Sequence, residues 1–334
     1  SEMCIRDRYI GDADEFENLE EMDRALRFFC SAYGVETSEA ILAADMHPGY
    51  GTRRLAEEWA RGREIQLVQH HHAHVASVMV EARVPLGERV VGVAVDGLGY
   101  GEDGALWGGE VLVASYSEYE RVGHLRPQPM PGGDLATMYP VRMLLGILST
   151  FMEEEEALEL VKSRGLLNGL RRGEAKARAA LAQAKRKDCS LISSVGRTLD
   201  AVVALLGVCL LRTYEGRPAM KLEADAKGDR LVDDIEAPTS GRVVSTSRLL
   251  ESTLEADCRV RDAAFSAIFV LGRALGELAA SAANGLHADF VAVSGGAAVN
   301  SILVEGMESA LREKDLRARL NGLVPPGDGG IALG

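Results

Sequence analysis

Four of the seven histidines in this 334-residue sequence fall in one short stretch, residues 70–74. The stretch follows an apolar run at residues 65–68 and precedes a second one, which predicts a short strand that passes into a helix. On a helix, His70 and His74 are four residues apart and share a face, and His71, three residues before His74, nearly does. Two imidazoles at this spacing can hold one metal ion, whereas a polar helix start with solvated or stacked histidines is the alternative.

Two imidazoles do not complete a metal site, so carboxylates must come from elsewhere in the chain. Asp96 and Asp328 each end an apolar run and stand next to glycine. An aspartate beside glycine often only forms a turn. Taken together with His70 and His74, however, the two aspartates make a mixed nitrogen and oxygen set that suits Fe(II) or Zn(II) and leaves coordination positions open. We expect the metal to lie between two lobes, because the ligands come from both halves of the chain.

A second group of residues could bind a nucleotide. The turn at residues 294–296 is rich in glycine, which lets a backbone approach a ring or a sugar, and Asn300 offers both a donor and an acceptor. In residues 193–200, Ser193 could cap a helix, and Asp200 is then available to ribose hydroxyls. A plain capped helix without a ligand explains the same pattern. The tight turn at residues 214–218 could close one side of this pocket.

The stretch at residues 97–104 could hold phosphate. It contains Gly97 and Gly99 and follows an apolar strand at residues 89–96. Strand, glycine-rich turn and two further strands open each lobe of the actin-like and sugar-kinase fold, in which backbone N–H groups of the first turn hold phosphates. Glycine-rich hairpins without a ligand are also common.

The elements that must position these residues alternate between helix and strand. Apolar spacing predicts helices at residues 18–33 and 55–63, with short strands at residues 40–45 and 65–68. Further strands are predicted at 105–115, 119–125 and 290–296, mostly helical structure at 133–211, and helices at 262–283 and 300–312. This alternation favours an α/β fold with helices packed on a sheet.

Composition excludes several classes of protein. The net charge is −13 and the pI about 5.1, which is unfavourable for binding a nucleic acid backbone. The five cysteines are scattered and form no CxxC pair, so neither a disulfide framework nor a zinc ribbon is expected. We noted no apolar run near the length of a membrane span, about 18 residues, and no leader sequence. A reducing cytoplasm is the expected location.

The set of motifs resembles the C-terminal, Kae/TsaD-like domain of the HypF carbamoyltransferase family, which acts in hydrogenase maturation. The resemblance runs from about residue 9 to residue 334. It rests on these blocks: Gln69-His70-His71-His72-Ala73-His74, Val95-Asp96-Gly97-Leu98-Gly99-Tyr100-Gly101, Trp107-Gly108-Gly109-Glu110, His124-Leu125-Arg126-Pro127, Pro131-Gly132-Gly133-Asp134, Ser193-Ser194-Val195-Gly196-Arg197, Tyr214-Glu215-Gly216, Ser294-Gly295-Gly296 and Val324-Pro325-Pro326-Gly327-Asp328-Gly329-Gly330. The related TsaD family shares the paired histidines, the serine-glycine-glycine turn and the final aspartate. It is not expected to carry the blocks at Trp107–Glu110 and Pro131–Asp134.

The resemblance implies an actin-like, two-lobed (ASKHA) fold. Lobe I would occupy residues 9–88 and carry the histidine helix, and lobe II would occupy residues 89–334. Residues 1–8 fit no pattern and are interpreted as a non-native segment. The first lobe would be incomplete, because a β-hairpin expected before residue 9 and a helix expected after residue 334 are not in the sequence.

The resemblance also implies roles for particular residues. A divalent metal, Fe or Zn, would be held by His70, His74, Asp96 and Asp328. His71 and His72 would then face the ligands or the substrate. A pocket for ATP or carbamoyl-adenylate would be formed by the remaining matched positions, which are Asp200, Gly216, Gly295, Gly296, Asn300, Gly97 and Gly99.

The implied reaction is the passage of a carbamoyl group from carbamoyl-adenylate to the C-terminal cysteine of the partner HypE, on the way to the cyanide ligands of [NiFe]-hydrogenase. A preceding YrdC-like domain would make the adenylate, so these residues alone are expected not to make it. The sequence departs from the family pattern at a few positions: Asp188, Ser190 and Ile192 replace Asn, Pro and Thr, and Arg217 and Val299 each replace Gln.

Three other functions remain open from the sequence. The first is a TsaD-like subunit that makes threonylcarbamoyl-adenosine in tRNA, which requires a basic track for RNA. The second is an O-carbamoyltransferase that acts on a small molecule. The third is a non-catalytic interaction domain. No catalytic acid or base is assigned.

Overall fold

The computed structural model describes residues 15–226, 230–284, 286 and 289–334. The segment predicted to be non-native, residues 1–8, and the position of the expected hairpin before residue 9 both lie outside the described residues. Within the described part, the chain folds as a mixed α/β protein with one large sheet and one small one.

Twelve α-helices are described: α1 (Phe16–Tyr33), α2 (Gly51–Ala60), α3 (His70–Ala82), α4 (Asp134–Met138), α5 (Pro140–Leu148), α6 (Glu154–Ser163), α7 (Gly173–Lys185), α8 (Val195–Leu205), α9 (Arg217–Asp225), α10 (Thr246–Glu255), α11 (Val260–Ala282) and α12 (Ser301–Arg312). Short 3₁₀ turns lie at Leu166–Gly169, Gly296–Val299 and Ile331–Leu333.

Eleven strands are described in the same residues: β1 (Ala43–Asp45), β2 (Gln66–Val68), β3 (Val90–Tyr100), β4 (Leu106–Ala114), β5 (Tyr119–Leu125), β6 (Gln128–Met130), β7 (Ser190–Ser194), β8 (Thr239–Ser240), β9 (Val243–Val244), β10 (Phe290–Ser294) and β11 (Arg317–Leu320). Strands β1 and β2 form a parallel pair of their own.

The large sheet has nine strands, in the order β11-β10-β3-β4-β5-β9-β8, with β7 paired to β4 and β6 paired to β7. Strand β3 pairs parallel to β10 and antiparallel to β4. The end of β3 therefore lies beside the end of β10, so Asp96 lies near the glycine turn at residues 295–296.

Helix α3 packs on one face of this sheet. It approaches closely at Gly92, where an added Cβ atom would lie 2.4 Å from the methyl groups of Val75. A small apolar cluster joins the helix to the sheet: Val75, Val78, Met79, Val90, Ala94, Leu112, Ala114 and Ala292. The alternate residues of β3, such as Val91 and Val93, point to the opposite face and join the main core with α5, α8 and α11.

By length and composition alone, helix α11 is long and apolar enough to cross a membrane, although no membrane span was predicted. Charged residues such as Arg273 and Glu277 interrupt the apolar pattern. In the fold, 72% of its most apolar 18-residue window is buried. The helix crosses α12 closely, since a Cβ atom at Gly272 would lie 2.0 Å from the carbonyl oxygen of Leu303. This burial is the pattern of a core helix.

Most predicted elements are present, but four details were wrong. The predicted turn at residues 97–104 is largely strand, because β3 passes through a bulge and pairs Gly99 with Trp107; the turn covers only residues 101–104. Strand β7 lies in a region predicted to be mostly helical. Helix α2 begins at Gly51 rather than residue 55, since its first turn is polar and shows no apolar spacing. Ser194, not Ser193, caps α8.

Candidate functional site

Four predicted metal ligands meet at one point of the fold. His70 and His74 lie on the first two turns of α3, Asp96 lies on β3, and Asp328 lies in the loop after β11. The Nε2 atoms of His70 and His74 are 3.0 and 3.1 Å from Oδ2 of Asp96, and 3.6 and 3.7 Å from Oδ1 of Asp328. One donor atom from each residue lies within 4.8 Å of all the others.

The start of α3 places the two imidazoles. Gln69 caps the helix, and its side-chain oxygen accepts a hydrogen bond from the backbone N–H of His72 at 2.8 Å. From this fixed start, residues four apart project from the same face, and the rings of His70 and His74 are 4.9 Å apart. Both side chains are buried. The predicted junction between a strand and a helix is present, and it fixes where the two imidazoles lie.

Asp45 also contacts this cluster, and the sequence did not predict it. Its Oδ2 lies 2.8 Å from Nδ1 of His70. A proton on Nδ1 leaves Nε2 free to bind a metal, and a carboxylate at this position is the usual partner of a ligating histidine. The available signal was weak, because Asp45 ends a three-residue strand. Its other oxygen accepts the backbone N–H of His47 at 2.7 Å.

Asp96 is fixed by its neighbours. Its Oδ1 accepts the N–H of Gly97 at 2.6 Å, which leaves Oδ2 between the two histidines. A Cβ atom at Gly296 would lie 3.1 Å from Oδ1, so that glycine borders the carboxylate. At His74, Nδ1 lies 3.5 Å from the hydroxyl oxygen of Ser294, a long contact.

The histidines and aspartates shift one another's pKa values. Burial lowers the pKa of His70 and His74, but the interactions with Asp328 and Asp96, and with Asp45 for His70, outweigh it and raise both values. Burial raises the pKa of Asp96 and Asp328, yet the interactions with the two histidines lower both. Because the Asp328 side chain is 76% exposed, solvent weakens its share. The carboxylates thus favour positive charge at the histidines.

The donor set fits a divalent transition metal. It offers two buried imidazole nitrogens, an oxygen of the buried Asp96 and an oxygen of the exposed Asp328, a set that suits Fe(II) or Zn(II) and leaves coordination positions open. His70, His74, Asp96 and Asp328 would hold the ion, and the carboxylate Asp45 would orient His70.

The other two histidines of the run point elsewhere. Nε2 of His72 lies 2.7 Å from the carbonyl oxygen of Ser115. Nδ1 of His71 lies 3.1 Å from the side-chain amide nitrogen of Gln69, whereas its buried Nε2 has no hydrogen-bond partner among the described residues. Burial lowers the pKa of His71 well below its usual range, so this ring is neutral.

Gly97 and Gly99, predicted to bind phosphate, lie on β3, the strand that carries Asp96. At Gly99 an added Cβ atom would lie 2.4 Å from Cε1 of His71, so the glycine makes room for the histidine run. At Gly97 it would lie 3.6 Å from Nη2 of Arg197.

The turn after β10 carries the remaining predicted glycines. Gly295 has φ of +104°, and a Cβ atom there would lie 2.2 Å from the carbonyl oxygen of Val95, so only glycine fits. Asn300 caps α12 by accepting the N–H of Leu303 at 3.0 Å. Its buried Nδ2 has no hydrogen-bond partner in the described part of the chain. That amide is available to a ligand.

Asp200 lies on α8, and Gly216 lies just before the neighbouring helix α9. Asp200 is buried 2.5 Å from Nη1 of Arg197, without hydrogen-bond geometry, and burial raises its pKa to about 6 despite nearby Arg197 and Arg212. Gly216 precedes α9 in the left-handed region, with φ of +72°. Glu223 of α9 accepts both the N–H and the hydroxyl of Ser301, at 2.8 and 2.7 Å, which joins this helix to the start of α12 next to Asn300.

Comparison with known families gives two adjoining matches. A model described as "Carbamoyltransferase, Kae1-like Domain, second subdomain" matches residues 92–334, and one described as "HypF Kae1-like domain" matches residues 1–81. The probable carbamoyltransferase HypF of Methanocaldococcus jannaschii is 34% identical, over 98% of this chain and 42% of that protein. The carbamoyltransferase HypF homolog of Cupriavidus necator is also 34% identical, over 97% of this chain and 83% of that protein.

Solved structures agree with these matches. The crystal structure of HypF from T. kodakarensis superposes with a TM-score of 0.85 at 36% identity, and covers 98% of this chain and 43% of that one. Full-length HypF in a phosphate- and nucleotide-bound form gives a TM-score of 0.83 at 29% identity, over 98% and 50%. The chain thus spans less than half the length of several relatives. The mixed α/β fold matches HypF Kae1-like structures and is consistent with the predicted actin-like class.

Proposed function

The chain belongs to the HypF family of carbamoyltransferases, and from this premise we propose that it transfers a carbamoyl group from carbamoyl-adenylate to the C-terminal cysteine of a HypE-like acceptor protein during [NiFe]-hydrogenase maturation. Support comes from relatives named carbamoyltransferase HypF and from the similarity to a nucleotide-bound HypF. The observation that carries the proposal is the convergence of His70, His74, Asp96 and Asp328 next to the glycine turns.

In the proposed reaction the acceptor thiolate attacks the carbamoyl carbon. A C–S bond forms, the bond from that carbon to the adenylate oxygen breaks, and AMP leaves with the electron pair. The thiol proton passes to solvent. A divalent ion held by the four ligands would act as a Lewis acid toward the carbamoyl oxygen or a phosphate oxygen.

The remaining residues would bind and orient the substrate. Asp200 and Asn300 offer an acceptor and a donor for the sugar and base, while Gly216, Gly295, Gly296, Gly97 and Gly99 let the backbone approach the nucleotide. We place Asp45 as the group that keeps the proton on Nδ1 of His70, so that Nε2 points its lone pair into the site.

We propose that a YrdC-like domain supplies the carbamoyl-adenylate, as the resemblance to the HypF family implies. We propose lobes at residues 9–88 and 89–334, with α3 as the helix of the first lobe that packs on the sheet of the second. A cytoplasmic location is proposed with this function.

Metal analysis tests the site. We expect the wild-type chain to bind about one Fe(II) or Zn(II) ion, and His74→Ala and Asp328→Ala to bind it much more weakly, because each variant loses a ligand. His124→Ala serves as the control, since this histidine lies on β5 and contacts a backbone carbonyl. Equal metal binding by all four proteins would refute the proposed site.

A further inference from the structure

Asp328 occupies a loop that cannot position the carboxylate by itself. Residues 321–330, between β11 and the final 3₁₀ turn, form no helix or strand. The side chain of Asp328 is 76% exposed, and its contacts with His70 and His74, at 3.6 and 3.7 Å, are longer than hydrogen bonds. Some other part of the molecule must hold this loop.

Glu81, on the last turn of α3, makes the contacts that hold it. Its carboxylate accepts the backbone N–H groups of Gly322, Leu323 and Val324 at 2.6, 3.0 and 3.0 Å. It also accepts a hydrogen bond from Nδ2 of Asn321 at 3.3 Å. Burial acts to raise the pKa of Glu81, but these hydrogen bonds outweigh it and lower the pKa, so the group is a charged acceptor at neutral pH.

The loop is also tied to β10 through Ser294. The Ser294 hydroxyl lies 2.8 Å from Oδ1 of Asn321 and 3.1 Å from the carbonyl oxygen of Pro326. The N–H of Gly295 donates to the same carbonyl at 2.8 Å. Nδ2 of Asn321 donates to the hydroxyl of Ser77 on α3 at 3.0 Å. The chain is thus fixed at residues 321–324 and at Pro326, two residues before Asp328.

From this network we infer that Glu81 is a positioning residue, which holds the loop so that the Asp328 carboxylate faces His70 and His74. Helix α3 then supplies two ligands near its start and, about two turns beyond His74, the side chain that sets the position of the fourth ligand. The inference rests on the proposed metal centre. Glu81 itself touches neither the metal nor the substrate.

The test uses Glu81→Gln, which keeps the shape of the side chain but replaces one acceptor oxygen by a donor NH₂ group. The matched control is Glu305→Gln, the same change at an exposed glutamate of α12. We expect Glu81→Gln to lower the affinity for Zn(II) roughly 10- to 100-fold, as for other groups that orient metal ligands, and Glu305→Gln to leave it unchanged.

A double-mutant cycle separates positioning from a general loss of structure. If Glu81 acts through Asp328, the Glu81→Gln change adds no further loss of Zn(II) affinity in an Asp328→Ala background. Additive losses, or unchanged affinity in Glu81→Gln, would overturn the inference.

Hydrogen exchange of the metal-free chain gives a second readout. The amides of residues 322–324 should exchange faster in Glu81→Gln than in the wild type or in Glu305→Gln, because their acceptor is weakened. Unchanged exchange would also refute the inference. If the wild type binds no Zn(II) while these amides lose protection, the proposed metal centre fails and the loop-holding role of Glu81 stands.

Discussion

His70 lies between two carboxylates, Asp45 at Nδ1 and Asp96 at Nε2, at 2.8 and 3.0 Å. An imidazole that contacts a carboxylate at each nitrogen is fixed in orientation, and Nδ1 of His70 already has a hydrogen-bond acceptor in Asp45. At His74, Nδ1 makes only a long contact, with the hydroxyl of Ser294. The two histidines are therefore unequal, and His70 is the more rigidly held ligand.

The contribution of Asp200 to the free energy of unfolding should depend on pH. Burial raises its pKa to about 6 from 3.8. Between these values the folded state binds more protons than the unfolded state, so this group's contribution to the free energy of unfolding falls as pH rises through that window. The total loss is roughly 3 kcal/mol. We expect Asp200→Asn to gain stability relative to the wild type by about this amount from pH 4 to pH 7, as measured by urea unfolding.

The control is Asp188→Asn, the same change at an exposed aspartate. Its stability relative to the wild type should stay nearly constant over the same pH range. An equal pH trend in both variants would contradict a buried, proton-binding Asp200.

The structure brings together the four residues that were predicted as metal ligands. Spacing left both His70 and His71 as possible partners of His74, and the resemblance to the HypF family selected His70 and His74. Asp96 and Asp328 were candidates because each ends an apolar run beside glycine. Asp45 and Glu81 could not be predicted. Each acts through contacts with residues at least 25 positions away, and nothing in its own neighbourhood signals that partner.

At the scale of elements, the N-terminus of α8 is joined to the end of β3. The hydroxyl of Ser194 accepts the N–H of Arg197 at 3.1 Å and lies 2.8 and 2.7 Å from the carbonyl oxygens of Asp96 and Gly97. One side chain thus caps a helix and supports the strand that presents a metal ligand.

We predict that Ser194→Ala destabilises the chain by about 1 kcal/mol, the usual cost of a lost cap, and also weakens metal binding. Ser245→Ala is the matched control, because Ser245 caps α10 in the same way through the N–H of Arg248. It should lose similar stability in urea unfolding and keep the metal affinity of the wild type. Equal metal affinity in both variants would show that Ser194 is only a cap.

Helices with clear apolar spacing were predicted well: residues 18–33, 262–283 and 300–312 correspond to α1, α11 and α12 within two residues at each end. Strand β7 was missed because its pairing with β4 and β6 is non-local. The continuation of β3 through Gly97 and Gly99 was also missed, since glycine usually marks a turn, and here it makes room for side chains of another element.

At the scale of the whole molecule, charge argues against an RNA substrate. The net charge is −13. The basic helix α7 is partly neutralised by glutamates at the start of α6: Arg178 lies 2.6 Å from Glu155, and Lys185 lies 3.2 Å from Glu153, which precedes α6. No continuous basic track is evident on that helix.

We therefore predict that the chain does not retain tRNA at physiological salt in a gel-shift measurement, since binding of a phosphate backbone depends on clustered positive charge. A TsaD-like function requires such retention. Specific tRNA binding that survives physiological salt would favour that function over transfer to a protein thiol.

The α/β class and the actin-like expectation agree with the HypF structures that superpose on this chain. The packing of α3 on the large sheet was not predicted. Its apolar residues could have packed on either sheet. Gly92 on β3 leaves the space that lets the helix approach the large sheet. Pairing of distant strands is likewise decided by the whole core and not by local sequence.

The most direct test of the account is carbamoyl transfer itself. Carbamoyl-adenylate, made by a YrdC-like domain, is mixed with the metal-loaded chain and a HypE-like acceptor, and the acceptor is analysed by mass spectrometry. We expect one carbamoyl group on the C-terminal cysteine of the acceptor with the wild-type chain, and strongly reduced transfer with Asp328→Ala. Absence of transfer with the metal-loaded wild type, or equal transfer with Asp328→Ala, would contradict it.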